Sequence, residues 1–163
     1  ALAVAGYVSA GCQREYGPLK VIGFNEYFGW YVGPGGQIAD RRELPAYLDQ
    51  VRDCYPNKAI FVSEFGVEAN RDGPVEEKGT FQFQQDWINY QVPILSAKTW
   101  LSGQLYWALR EFKVRPAWEG GNPRPSPPGS LHQKGLVSYD GRPKPAFFDL
   151  QRMWREPAAT PAP

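Results

Sequence analysis

Residues Ala59–Gly66 read AIFVSEFG. Ile60, Phe61 and Val62 form a short apolar, β-rich run that suits a strand buried on both faces. Pro56 and Asn57 bound the run on one side and Gly66 on the other. Glu64 therefore falls at the C-terminal end of the strand. A carboxylate leaving a buried strand needs a partner or a task. A lone glutamate there would usually just point into solvent, but two further apolar runs end in polar and aromatic clusters in the same manner.

The first of these is Val21–Tyr27, VIGFNEY, which ends in Asn25, Glu26 and Tyr27 and is followed by FGWY. The second is Leu101–Leu109, LSGQLYWAL, with Trp107 near its end. Helical spacing separates the runs. Asp40–Tyr55 carries Leu44, Tyr47, Leu48 and Val51, with Asp40 and Glu43 placed as a capping pair and Pro45 in the first turn. Thr80–Ala97 places Phe83, Trp87, Tyr90 and Ile94 on one face, and Pro93 is expected to kink or divide it. A last amphipathic helix spans Pro145–Arg155 through Phe147, Leu150, Met153 and Trp154.

The segments between these elements carry turn chemistry. Ala1–Val4 is an apolar stub that could finish a strand. Gly6–Leu19 reads as a loop or short irregular helix, and Gly33–Gly36 (GPGG) as a breaker. Val67–Gly79 reads as a polar loop. Arg115–Gly129, rich in proline and glycine, is expected to be a long irregular excursion. Leu136–Val137 could form a short strand before a turn at Asp140–Gly141. Residues 157–163 are expected to be a disordered tail.

The order is strand stub, strand, helix, strand, helix, strand, helix, which predicts a parallel sheet with crossover helices. Either an open doubly wound sheet or part of a (β/α)8 barrel would fit, and in both a site lies beyond the C-terminal strand ends. Asn25, Tyr27, Glu64 and Trp107 all fall there. No Gly-rich phosphate loop opens a helix, which favours the barrel.

Composition limits the function classes. The chain has 163 residues, 42% hydrophobic and 21% charged, with a net charge of +1, so nothing marks a nucleic-acid or anionic-membrane surface. No apolar run is long enough to span a bilayer as a helix. Aromatics make up 15%, a surplus that often lines pockets for flat or sugar-like ligands, though large cores use such rings too. Cys12 and Cys54 have no metal spacing and are read as making no disulfide framework, and the single His132 cannot anchor a zinc site. The compartment is left undetermined, with the cytoplasm favoured over secretion. The opening ALAVAG, without an initiator Met or signal sequence, reads as the start of a C-terminal part of something longer.

Five blocks, FNEYFGWY, FVSEFG, LYWALREF, HQKG and GRPKPAFFDLQRMW, in that order, resemble the final third of the barrel domain of glycoside hydrolase family 2. The similarity is greatest to its β-glucuronidases and related β-galactosidases and runs from about Val21 to Trp154. It implies that residues 1–156 are the C-terminal half of a TIM (β/α)8 barrel, about strands five to eight, incomplete in this chain.

The resemblance also implies roles. The family's retaining mechanism uses two carboxylates about 5–5.5 Å apart, and its nucleophile motif corresponds to SEFG, so Glu64 takes that part. Asn25, Tyr27 and Tyr31 would line the sugar pocket, Tyr27 hydrogen-bonding the nucleophile, and Trp107 would wall the sugar ring. Trp30 is balanced between a ligand role and packing under the loop. The acid/base glutamate lies in an Asn-Glu pair at the end of the family's fourth strand, upstream of Ala1. Asn25–Glu26 imitates that pair, but alternation turns Glu26 away from Asn25 and Tyr27, so Glu26 is read as structural or ion-pairing, with an acid/base role the lesser alternative.

Glucuronidases read the sugar carboxylate through an Asn-x-Lys pair, which here is His132-Gln133-Lys134. Lys134 would pair with a uronate or bind a neutral sugar's hydroxyl, and His132 would donate a hydrogen bond or bond only locally. β-Glucuronide and β-galactoside both stay open, the former ahead because the lysine is kept. No cofactor or metal is implied. The expected partner is a carbohydrate substrate, with homo-oligomers possible at full length. The chain alone is expected to hydrolyse no aryl β-glycoside and to self-associate through its open strand edge. Two other classes remain, a non-catalytic carbohydrate-binding unit, normally a β-sandwich, and another α/β enzyme with an open sheet.

Overall fold

A computed structural model describes residues 2–4, 12–33, 36–115 and 130–155. They form two compact units. The first comprises residues 1–66 and 99–107, and the second residues 67–98 and 108–163. The expected proline- and glycine-rich excursion (Arg115–Gly129), apart from Arg115, and the expected tail (157–163) lie outside the described residues.

The first unit is a four-stranded sheet ordered β1-β2-β3-β6, with β1 Leu2–Val4, β2 Val21–Asn25, β3 Ala59–Phe65 and β6 Leu101–Tyr106. All three pairings are parallel, as the alternation of runs and helices predicts. The β-sandwich of a carbohydrate-binding module is not what these residues form, and among the described residues no closed barrel is present. Ile22, Phe24, Ile60 and Val62 are fully buried. Phe24 meets Tyr47 of helix α1 (Leu44–Cys54) edge-on at 5.8 Å. A 3-10 turn, Arg41–Glu43, leads into α1. Asp40 caps that turn by accepting from the Arg42 backbone N–H at 2.9 Å. Glu43 makes no side-chain cap bond, so the expected reciprocal pair is one-sided.

Cys12 and Cys54 are joined in a disulfide, a single bridge that the sequence reading did not assign. A sequence separation of 42 gives no local signal of proximity. It is the return of α1 beside the segment before β2 that brings them together, and the Gln13 N–H bonding to the Tyr55 hydroxyl at 2.7 Å marks the same contact. Such bridges are typical of oxidising environments.

The second unit packs α2 (Phe81–Ala97) against α3 (Pro145–Arg155). Two short strand pairs accompany them. β4 (Ala69–Arg71) pairs in parallel with β5 (Gly79–Thr80), and β7 (Phe112–Lys113) pairs antiparallel with β8 (Leu131–His132). Thr80 caps α2 by accepting from the Phe83 N–H at 3.0 Å. Pro93 does not divide the helix, which runs unbroken over it. Pro93 and Asn89 are both exposed, so water can serve the carbonyl that the proline leaves without a donor. The buried face of α2 is Gln84, Trp87, Ile88, Gln91, Val92 and Leu95, not the predicted Phe83–Trp87–Tyr90–Ile94 stripe. Buried glutamine is the cause. Gln84 Nε2 donates to the Val67 carbonyl at 2.9 Å, so a polar side chain occupies a core position. Among the described residues no helix is long and apolar enough to cross a membrane.

Candidate functional site

In the first unit, three adjacent parallel strands end side by side at the same edge, and each ends in a candidate residue. Asn25 closes β2, Glu64 lies one residue before the end of β3, and Trp107 follows β6 directly. Their alignment depends on a bulge. Phe24 pairs with Val62 but Asn25 pairs with Glu64, so Ser63 is an extra residue in β3. A bulge breaks the strict two-residue alternation and re-aims the side chains beyond it. Ser63 and Glu64, consecutive in sequence, therefore both reach side chains in β2 or in the turn that follows it. The Ser63 hydroxyl donates to Asn25 Oδ1 at 2.8 Å, and the Tyr27 hydroxyl donates to Glu64 Oε2 at 2.7 Å. Beyond the bulge the Glu26 N–H donates to the Glu64 carbonyl at 2.9 Å, which extends the ladder to the end of the strand.

The turn after β2 orients the aromatics. The Trp30 and Tyr31 N–H groups both donate to the Tyr27 carbonyl, at 2.9 and 3.2 Å, and Gly29 takes the positive φ (82°) this turn needs. The Tyr31 ring stands edge-on to Tyr27 with centroids 5.0 Å apart. Trp30 is buried, edge-on to Tyr31 at 6.2 Å. Gly66 is fixed by both geometry and space. Its φ is 151°, and a Cβ would lie 2.5 Å from the Trp107 carbonyl oxygen. That close approach accompanies the 2.8 Å bond from the Trp107 N–H to the Phe65 carbonyl. Trp107 remains 38% exposed, so a large apolar ring is open to solvent at the strand ends.

Burial and the Glu64 carboxylate together push the Tyr27 phenol far above its ordinary value. The phenol stays a donor throughout the range in which the protein is handled. The native state then holds a proton that the unfolded chain gives up above about pH 10. Stability is complete below that pH and falls as pH rises past it, by about 1.4 kcal/mol per pH unit for this one group. We expect the urea midpoint of the wild-type protein to fall more steeply between about pH 9 and pH 11 than that of Tyr27→Phe. Parallel losses in the two proteins would contradict the proton's placement.

Glu26 is fully buried, with Oε2 accepting from the Phe28 N–H at 3.2 Å. The carboxylate is thus engaged by the turn that carries Tyr27.

In the second unit, the His132–Lys134 segment is equally enclosed. His132 is buried, and its ring stacks on Phe112 with centroids 4.7 Å apart and planes 8° from parallel. Lys134 is 1% exposed. Gln133 between them is held from several sides. Its N–H donates to Glu68 Oε1 at 3.3 Å, and its side-chain oxygen accepts from Asn70 Nδ2 at 3.1 Å. Its carbonyl accepts from the Ala69 N–H at 3.2 Å and from Lys144 Nζ at 2.9 Å. Lys144 also donates to the Ala69 carbonyl at 2.7 Å and forms an ion pair with Glu111 Oε1 at 2.6 Å. Three bonds use the full donor capacity of an ammonium. Burial pulls the Lys144 ammonium below its ordinary value, and Glu111 opposes that pull. Gly135 leaves no room for a side chain, since a Cβ would lie 2.3 Å from the Glu111 nitrogen.

Sequence reasoning missed Ser63 and the Lys144 frame. Ser63 could have been noticed as the hydroxyl beside the candidate carboxylate, but only the bulge turns it toward Asn25. Lys144 lies in the GRPKPAFFDLQRMW segment, whose resemblance assigns it no role. Its signal was a lysine between two prolines ahead of an apolar helix, where a solvated lysine is the ordinary reading.

Sequence comparison finds similarity to β-glucuronidases. One from Bacteroides fragilis is 23% identical over 145 residues, covering 83% of this chain and 19% of that protein. Among solved structures, an FMN-binding β-glucuronidase from Facaelibacterium prausnitzii matches with a TM-score of 0.76 at 20% identity, over 95% of this chain and 23% of that one. A family 2 β-galacturonidase from Eisenbergiella tayi, solved with bound glycerol, matches with a TM-score of 0.69 at 22% identity, over 85% of this chain and 24% of that one. No protein-family model matches the chain. The chain is thus similar in sequence and fold to a segment of glycoside hydrolase family 2 β-glucuronidases, and spans about a fifth to a quarter of the proteins it matches.

Proposed function

We propose that this chain supplies the nucleophile half of a retaining exo-glycosidase, as the C-terminal half of a (β/α)8 barrel that acts on terminal β-glucuronides or β-galactosides. The observation that carries the reading is the Glu64 carboxylate, which sits at the C-terminal end of a central parallel strand and accepts a 2.7 Å hydrogen bond from Tyr27. Parallel α/β sheets place their reaction centres at such ends, and the relatives are glycosidases by name.

In the reaction, Glu64 attacks the anomeric carbon, the glycosidic bond breaks, and a glycosyl ester forms on the carboxylate. The Tyr27 phenol holds one carboxylate oxygen and leaves the other to attack. Its bond weakens the nucleophile slightly but fixes its direction, and positioning outweighs basicity in a step that needs a defined approach. Asn25, with its amide turned by Ser63, binds a sugar hydroxyl. Tyr31 and Trp107 form the apolar wall. The proton donor for the leaving group comes from upstream of residue 1, so the chain alone is inactive.

Lys134 and His132 belong to substrate recognition in this reading. A lysine suits a uronate carboxylate through a charge-assisted bond, and the Bacteroides fragilis relative and both structural neighbours act on uronides by name.

The test is covalent trapping. An activated 2-fluoro aryl β-glucuronide slows ester hydrolysis, so the intact protein should accumulate a glycosyl peptide containing Glu64, visible by mass spectrometry after digestion. Label on any other carboxylate, or turnover with inversion at the anomeric carbon, would reject the assignment.

A further inference from the structure

The second unit holds a cavity of about 370 Å³ that the proposed reaction does not use, and every residue lining it belongs to that unit. Its size falls within the range of small-molecule sites. Lys144 and Glu111, 4% and 7% exposed, form part of the lining. So do the half-buried side chains of Gln133 and of Phe81, the first residue of α2. Asp140 and Arg142 line it from an exposed turn.

The charges of this lining are already matched. Lys144 spends its three protons on the Ala69 and Gln133 carbonyls and on Glu111. Arg142 Nε pairs with Asp140 Oδ2 at 2.8 Å. Two cations face two carboxylates, so an anionic ligand gains no net attraction. The bonding capacity left over is of both kinds. Glu111 accepts from Lys144 at one oxygen and from the Tyr139 N–H at the other, and a carboxylate has about four acceptor sites. The Gln133 side-chain oxygen accepts from Asn70 at 3.1 Å, while its Nε2 donates to no described residue. Arg142 carries further N–H groups beyond its Nε.

We infer that this cavity binds a neutral polyhydroxylated ligand, a mono- or disaccharide. A hydroxyl both donates and accepts. One sugar hydroxyl can therefore donate to Glu111 or Asp140 while another accepts from Gln133 Nε2 or Arg142. The Phe81 ring offers an apolar surface to the C–H groups of the sugar. A purely apolar ligand would strip water from the amide and carboxylates and give no bonds in return. A phosphate would meet Glu111 with the Lys144 ammonium already engaged. No residue of the first unit takes part, so the inference does not rest on the role of Glu64.

The experiment titrates the intact protein with maltose and with trehalose, neutral disaccharides joined by α linkages, in a calorimeter. Amide hydrogen exchange with and without sugar locates the contact. The expected result is saturable binding of at least one disaccharide, with slower exchange confined to Gln133 and Ser138–Lys144. Gln133→Met removes the Nε2 donors, and Arg142→Gln removes the guanidinium at an exposed position. Each should weaken binding about 10-fold, and inorganic phosphate should not compete. Binding of neither sugar, protection elsewhere in the chain, or competition by phosphate would overturn the inference. So would unchanged affinity in a variant whose urea midpoint matches that of the wild type. Covalent trapping at Glu64 can succeed or fail without altering any of these outcomes.

Discussion

Replacing Glu64 by glutamine in the intact protein is expected to lower kcat on an aryl β-glucuronide by at least about 10⁴-fold, the scale on which hydrolases lose activity with their nucleophile. The substitution keeps the size and planarity of the side chain and retains an acceptor for the Tyr27 hydroxyl at the 2.7 Å position. What disappears is the anionic oxygen that must bond to the anomeric carbon. Folding should change little, because Glu64 is only half-buried and its amide can accept the same bond. A small stability change is expected from the loss of a charged acceptor, about 1 kcal/mol. The measurements are single-turnover kinetics and a urea midpoint on the same preparation. A rate near that of the wild type would remove Glu64 from the chemistry, whatever its place in the fold.

Lys144→Met alone should be the most disruptive single substitution in the second unit. It leaves the Glu111 carboxylate buried without its cation and removes the side-chain donor from the carbonyls of Ala69 and Gln133. Breaking a buried pair by deleting one member costs about 3–5 kcal/mol. Neutralising both members costs less, because the Glu111 charge is removed together with its cation and only the Glu68 carboxylate, which also acts on Lys144, keeps its charge. The Lys144→Met/Glu111→Gln protein is therefore expected to recover most of the stability that the single variant loses. Denaturant unfolding of the two variants and the wild type checks this. A double variant no more stable than the single one would mean that the ion pair is not the source of the loss.

The parts of this protein that were legible in the sequence are those governed by local pattern. The AIFVSEFG run, its two companions and the amphipathic α3 each carry enough periodicity or turn punctuation to define themselves. Parallel strands separated by helices then place Asn25, Glu64 and Trp107 at one edge without knowledge of any contact. What stayed hidden depends on distant partners. Gln84 and Gln91 read as surface residues until the Val67 carbonyl gives Gln84 a buried partner, and so the face of α2 was misplaced. The β4–β5 and β7–β8 pairs are too short to show alternation. Lys144 resembles any loop lysine, since its three acceptors come from positions 69, 111 and 133. The bulge at Ser63 was invisible because nothing in SEFG marks an added residue. Its register exists only against β2.

The Cys12–Cys54 bridge acts mainly on a state that the native contacts do not represent. With two cysteines in the chain there is a single intramolecular pairing, so its oxidation needs no reshuffling among alternatives. Closing a loop over 42 residues removes many extended conformations from the denatured ensemble. On the chain-entropy account this destabilises the unfolded form by about 4 kcal/mol. The strands β2 and β3, which carry Asn25 and Glu64, grow from within or beside that loop. Their search for each other therefore begins from a chain already shortened, and the site inherits part of its order from a covalent link that touches none of its side chains.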